Sequence, residues 1–176
     1  DVLTPGYILF NNGNGTFTSQ AYSMSMGAVG DLNNDGFLDI QNGNTIYYND
    51  GNNRNWLTVT LKGTTSNKNG IGARVEIYGP WGKQIRDIRA GVGFRYMGTL
   101  NAHFGISYFN TIDSVVVKWT SGNTDVICNP TINSVLHIEE NSAPVPTSSF
   151  TVSASDINMT DVVDFTDNSS PCPYEW

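Results

Sequence analysis

Short runs in which apolar and polar residues alternate, each closed by glycine, asparagine or proline, recur along most of the chain. Tyr7-Ile8-Leu9-Phe10 is the first; Asn11-Asn12-Gly13-Asn14-Gly15 and then Thr16-Phe17-Thr18 follow it. Asn-Gly turns between such runs predict a hairpin. Further strands are expected from Ser25 to Val29 and from Thr45 to Tyr48. Trp56-Leu57-Thr58-Val59-Thr60-Leu61 alternates strictly and ends at Lys62-Gly63, and Ala73 to Tyr78 stops at Gly79-Pro80. Gln84 to Arg89 is apolar at Ile85 and Ile88, a slip in alternation that predicts a bulge. Val115 to Trp119, Val135 to Ile138, Phe150 to Ala154 and Val162 to Thr166 complete the series. No stretch sustains a 3.6-residue period, so the chain is expected to be all-β.

Between the strands expected at Ser25–Val29 and Thr45–Tyr48 lies Asp31-Leu32-Asn33-Asn34-Asp35-Gly36-Phe37-Leu38-Asp39. Oxygen-bearing side chains stand at Asp31, Asn33, Asp35 and Asp39, and Phe37 can offer its backbone carbonyl. Ca²⁺ takes about six to eight oxygens, and ligands at alternate loop positions around a glycine turn supply them. Gly36 stands at the sixth position, where the turn is sharpest. Asn42 occupies the place of an EF-hand's closing glutamate, and the flanks alternate like strands. The spacing therefore predicts a Ca²⁺ loop between strands, with a plain Asx-rich turn as the alternative.

Sixteen acidic against nine basic residues give a net charge of −7, which argues against a nucleic-acid surface. No apolar run approaches the ~20 residues of a membrane-spanning helix, and no signal-peptide pattern opens the chain. The first residue is Asp1, which reads as a mature or excised fragment. Cys128 and Cys172 have no metal-ligand spacing; whether they pair with each other is open.

Two resemblances organise the chain. "LFNNGNGTF" followed by "AVGDLNNDGFLDI" resembles the FG-GAP/VCBS repeat of integrin-like β-propellers. It implies calcium ligands at Asp31, Asn33, Asp35, the Phe37 carbonyl and Asp39. Tyr47-Tyr48-Asn49-Asp50-Gly51-Asn52 echoes Leu9-Phe10-Asn11-Asn12-Gly13-Asn14 at a period of ~38 residues, in the range of propeller blades. "NWLTVTLKG", "SNKNGIGARVEIY", "IRDIRAGVGF", "HFGI" and Ile112 to Gly122 together resemble the ASPIC/UnbV domain, which follows such blades in secreted and surface proteins. Val163 to Ser169 is similar to the start of a PKD domain, an Ig-like sandwich. The expected order is a calcium-binding blade over residues 1–53, a sandwich or barrel over 54–140, a Pro-containing linker over 141–149, and a partial PKD-like segment over 150–176 that reads as a cut.

No nucleophile–base motif, zinc-protease motif or P-loop is present, and His103 beside Phe104 reads as a structural histidine, so no enzymatic activity is expected. Asn67, Asn69, Gly70 and Gly72 read as a tight turn, and Arg74, Arg86, Asp87 and Arg89 as a solvated strand face. Trp81, at the Gly79-Pro80-Trp81-Gly82 turn, is the one candidate contact residue for a ligand. The leading expectation is a calcium-stabilised extracellular module for structure, adhesion or interaction. The alternatives are a carbohydrate-binding accessory region of a secreted hydrolase, binding polysaccharide through Trp81, or a fibre or surface-layer subunit that self-associates through open strand edges.

Overall fold

The computed structural model describes residues 2–23, 27–91, 96–143, 150–152 and 165–167. The chain divides into two compact units, residues 1–53 with 89–100, and residues 54–88 with 101–176.

In the first unit, β1 (Val2–Thr4), β2 (Tyr7–Asn11) and β3 (Phe17–Ala21) form an antiparallel meander. The β2–β3 connection runs from Asn12 to Thr16 and is wider than the two-residue turn that an Asn-Gly pair suggests. Asparagine side chains hold it in place of a tight turn: Asn11 Oδ1 accepts from Gly13 N, and Asn14 Oδ1 accepts from Thr16 N. β4 (Ala28–Gly30), β5 (Asp39–Asn42) and β6 (Thr45–Tyr47) make a second antiparallel sheet. The strand expected over Ser25–Val29 is thus observed as Ala28–Gly30, and residues 24–26 lie outside the described ones. Thr99 N donates to Val29 O, joining the 89–100 segment to β4.

The second unit contains β7 (Asn55–Lys62), β8 (Arg74–Gly79), β9 (Gly82–Asp87), β10 (Ala102–Ser107), β11 (Ser114–Lys118), β12 (Thr124–Cys128) and β13 (Ser134–Glu139). They form a three-stranded sheet ordered β10-β7-β13 and a four-stranded antiparallel sheet ordered β12-β11-β8-β9. β13 runs parallel to β7, so the three-stranded sheet is mixed. Alternate residues of both sheets supply one core: Leu57, Val59, Phe104 and Ile106 from the first, and Val75, Ile77, Val115 and Val117 from the second. This is a two-sheet sandwich, the arrangement in which each sheet buries one apolar face on the other.

The barrel alternative is not realised: among the described residues no sheet closes on itself, and residues 2–47 form two three-stranded sheets in place of one four-stranded blade. Strands β9 and β10 come beside each other, but side chains bridge them in place of a backbone ladder. Gln84 Nε2 donates to Gly105 O and Arg86 Nε donates to His103 O. The expected bulge in Gln84–Arg89 is also absent, since β8 and β9 pair without a break from Gly79↔Gly82 to Arg74↔Asp87. The alternation slips because β9 ends at Asp87. Ile88 lies past the strand and turns inward, 3% exposed, with its N–H donating to Ala73 O. The register shift of this unit falls in β10, between Gly105 and Ser107.

Residues 141–143 continue from β13 into the folded unit, since Val126 N donates to Ala143 O. A smaller apolar cluster of Val116 and Val126, with Tyr78 and Cys128 against it, occupies the other face of the four-stranded sheet. Cys128 is disulfide-bonded, while Cys172 lies outside the described residues. Of the PKD-like stretch, β14 (Phe150–Val152) and β15 (Phe165–Asp167) are described, paired antiparallel; the rest lies outside the described residues.

Candidate metal loop and buried carboxylates

Asp31 to Leu38 connects β4 to β5, and Gly30 pairs with Asp39 across its base. The chain reverses here by placing Asn34 at φ 60° and Gly36 at φ 89°. Asparagine and glycine are the residue types that enter this left-handed region most readily, which is why the turn needs them at these two positions.

The side chains of the loop fold back onto its own amides. Asp31 accepts from Asp35 N (3.1 Å) and Gly36 N (2.9 Å), Asn33 Oδ1 accepts from Asp35 N (3.2 Å), and Asp35 Oδ1 accepts from Phe37 N (2.8 Å). Asp31 and Asn33 share one amide, so their oxygens converge, and Asn33 Nδ2 donates to Asp35 Oδ2 at 2.7 Å. Three of the expected ligands are thus brought together.

Asp39 is placed differently. It is 0% exposed, with Oδ2 accepting from Leu32 N (2.8 Å) and Oδ1 from Asn49 N (2.9 Å). Among the described residues, no three His, Cys, Asp or Glu side chains group at metal-ligand spacing, and none of Asp31, Asp35 and Asp39 forms an ion pair. The loop therefore holds three carboxylates, one of them fully buried, compensated by backbone amides and the Asn33 carboxamide. A donor set of carboxylate and carboxamide oxygens suits a hard cation.

The second unit buries three more carboxylates that no sequence motif marks. Glu140, 3% exposed, is caged by two loops. Its Oε2 accepts from three consecutive amides, Thr64, Thr65 and Ser66 (2.9, 2.8 and 2.7 Å), and its Oε1 accepts from Ser66 Oγ, Ser121 Oγ and Asn123 Nδ2. Burial pushes this carboxyl up, but the Ser121 hydroxyl and the three amides outweigh burial and hold it well below the usual carboxylate range. Asp125, 0% exposed, accepts from Trp119 Nε1, Asn141 N and Ala143 N. Glu76, 2% exposed, accepts from Tyr78 Oη and Lys118 Nζ; burial raises its carboxyl, and those two donors bring it below the ordinary value.

His103 meets Thr58 Oγ1 through Nδ1 at 3.1 Å and stacks on Trp56, and His137 bonds Thr60 Oγ1. Trp81 is half-buried, its ring lying over Gly79 and against Phe109, while Phe109 and its neighbour Tyr108 are exposed.

No curated protein matches the chain. Residues 63–145 match the protein family described as ASPIC and UnbV. That span runs from the amides that cage Glu140, through β8 to β13, to the segment bound by Asp125. It excludes the stretches compared above with FG-GAP/VCBS and PKD sequences. By this match and by its sandwich strands, the stretch from residue 63 to residue 145 is an ASPIC/UnbV domain.

Proposed function

We propose that this chain is a calcium-stabilised, non-catalytic module of an extracellular protein, with structure or partner binding as its role. The observation that carries the calcium reading is a loop of three carboxylates, Asp31, Asp35 and Asp39, none of which forms an ion pair among the described residues, while hydrogen bonds already satisfy the buried Asp39. Asp31, Asn33 and Asp35 stand in the same loop with oxygens already turned inward. Bound there, Ca²⁺ would neutralise the loop and hold β4 and β5 together at their shared end.

The match of residues 63–145 to the ASPIC and UnbV family is what supports the reading as a module. The extracellular setting is supported by the secreted and surface proteins that the resemblance implies.

The test is thermal unfolding with Ca²⁺ and with chelator. Extracellular calcium modules bind with Kd of about 10⁻⁴–10⁻³ M, so about 10 mM Ca²⁺ should raise the melting temperature by roughly 3–10 °C over chelator. Asp35→Ala is expected to abolish most of that difference. Asp35 is exposed, so its loss alone disturbs little packing. Identical melting in Ca²⁺ and chelator, by probes that report on the 1–53 segment, would leave the loop as an Asx-rich turn.

A further inference from the structure

The four-stranded sheet turns Val75, Ile77, Val115 and Val117 toward the sandwich core, so the alternate residues of β8 and β11 lie on its other face. Register sets these in rows across the strands. Tyr78, Ser114 and Cys128 make one row, and Glu76, Val116 and Val126 the next. A sheet with water on one side leaves such a face exposed and polar. Here Ser114 and Val116 are 0% exposed, Glu76 2% and Val126 5%, with Tyr78 and Cys128 packed against the two valines. Ser114 Oγ is buried with no hydrogen-bond partner among the described residues, although a hydroxyl on an open sheet would take water. The centre of this outer face is sealed in the manner of an interior.

Cys128 identifies what seals it. Its sulfur is disulfide-bonded, and the sequence holds one other cysteine, Cys172, 44 positions further on. Cys128 ends β12 in the same row as the fully buried Ser114, so its bond starts at the margin of the sealed face. The chain has by then returned to this sheet. Val126 N donates to Ala143 O, and Asp125 binds the amides of Asn141 and Ala143. The residues after 143 therefore set out from the β12 edge of the sheet. Cys172 lies in Pro171-Cys172-Pro173-Tyr174-Glu175-Trp176, where two prolines favour an extended chain and two aromatic residues bring apolar area.

We infer that the outer face of the four-stranded sheet is a docking surface for the chain's own C-terminal residues, 168–176, held there by a disulfide between Cys128 and Cys172. An apolar sheet face is stable only against another layer, and the valines of this one need a cover that β8, β11 and β12 do not supply. A short segment would bind such a face weakly by itself, because ordering it costs entropy. The cross-link removes most of that cost by keeping the segment beside the sheet, and it also restricts the unfolded chain. A disulfide of this kind persists in an oxidising compartment, which supports the extracellular setting on separate grounds. Both cysteines belong to the second unit, so the docking is independent of calcium at Asp31–Asp39.

Peptide mapping of the unreduced full chain tests the bond. A Cys128 peptide linked to the Cys172 peptide is expected, while free thiols or a Cys128–Cys128 link between two copies would overturn the inference. Cys172→Ser in the full chain tests the docking. It should lower the melting temperature by roughly 5–10 °C, as fits the loss of a cross-link across a long loop. Hydroxyl-radical labelling of the half-buried Tyr78 and binding of a dye for apolar surface should both rise severalfold, while Phe104 in the sandwich core stays unlabelled. Dithiothreitol takes the bond to two thiols and becomes its own cyclic disulfide. On the unsubstituted chain it should give the same rise, so the result does not hang on one variant. Unchanged Tyr78 labelling and dye binding in both cases, even with a lower melting temperature, would mean a cross-link without a docked segment and would overturn the docking.

Discussion

Glu140→Gln is expected to lower the melting temperature by roughly 10 °C, a large effect for a change that keeps the side chain's length. The carboxylate accepts six hydrogen bonds from three backbone amides, two hydroxyls and one carboxamide. Glutamine has one acceptor oxygen, and its amide nitrogen would point a donor at other donors, leaving buried N–H groups without partners. The same cage makes stability depend on pH. The folded-state carboxyl is held below its unfolded value of about 4.3, so the folded state binds its proton more weakly. Its contribution is complete above the unfolded value and is lost as pH falls through it toward the folded one. Urea unfolding at pH 7 and again between about pH 5 and pH 3 should show the wild type weakening on acidification and Glu140→Gln weakening less. Glu76, lowered as well, accounts for part of the slope that the variant keeps. An unchanged midpoint for Glu140→Gln at pH 7 would remove the cage as a source of stability.

The strands of the sandwich were largely legible because a half-buried strand writes its two faces into alternate residues. Trp56 to Leu61 and Ala73 to Tyr78 did so, and β7 and β8 lie where that pattern puts them. β10 carries the same signal at Ala102, Phe104 and Ile106, all buried, but His103 and Gly105 between them disguise it. β12 is harder to find, for its Asp125 is as buried as any valine of the core. Whether a strand closes a barrel or stops at an open edge depends on long-range pairing, and in this chain on the reach of Gln84 and Arg86 across to β10; alternation carries no trace of either. The turn of Asp31 to Asp39 was legible because most of its hydrogen bonds are local, although Asn49 N reaches Asp39 from outside it. The buried carboxylates were not, because their donors come from distant turns: Ser66 reaches Glu140 over 74 positions.

Asp125 shows the same principle, and replacing it should be nearly as damaging as disrupting the core itself. Its carboxylate is fully buried, and it accepts from Trp119 Nε1 at 2.7 Å, Asn141 N at 2.9 Å and Ala143 N at 2.7 Å. Asp125→Ala strands all three donors at once, two of them backbone groups that no rotamer change can turn toward water. Hydrogen bonds to a charged acceptor contribute about 1.5–3 kcal/mol each and do not add fully, so a loss of about 3–5 kcal/mol is expected. Trp119→Phe removes one donor and keeps most of the ring's burial, and should cost less, about 1–2 kcal/mol beyond any packing change. In the double variant, Trp119→Phe should add little to Asp125→Ala, because the indole N–H has by then lost its partner. Additivity of the two losses in urea unfolding would mean that the tryptophan stabilises through packing alone. The remaining part of the Asp125 effect should appear in hydrogen exchange as lost protection at Asn141 and Ala143, whose amides the carboxylate ties to β12.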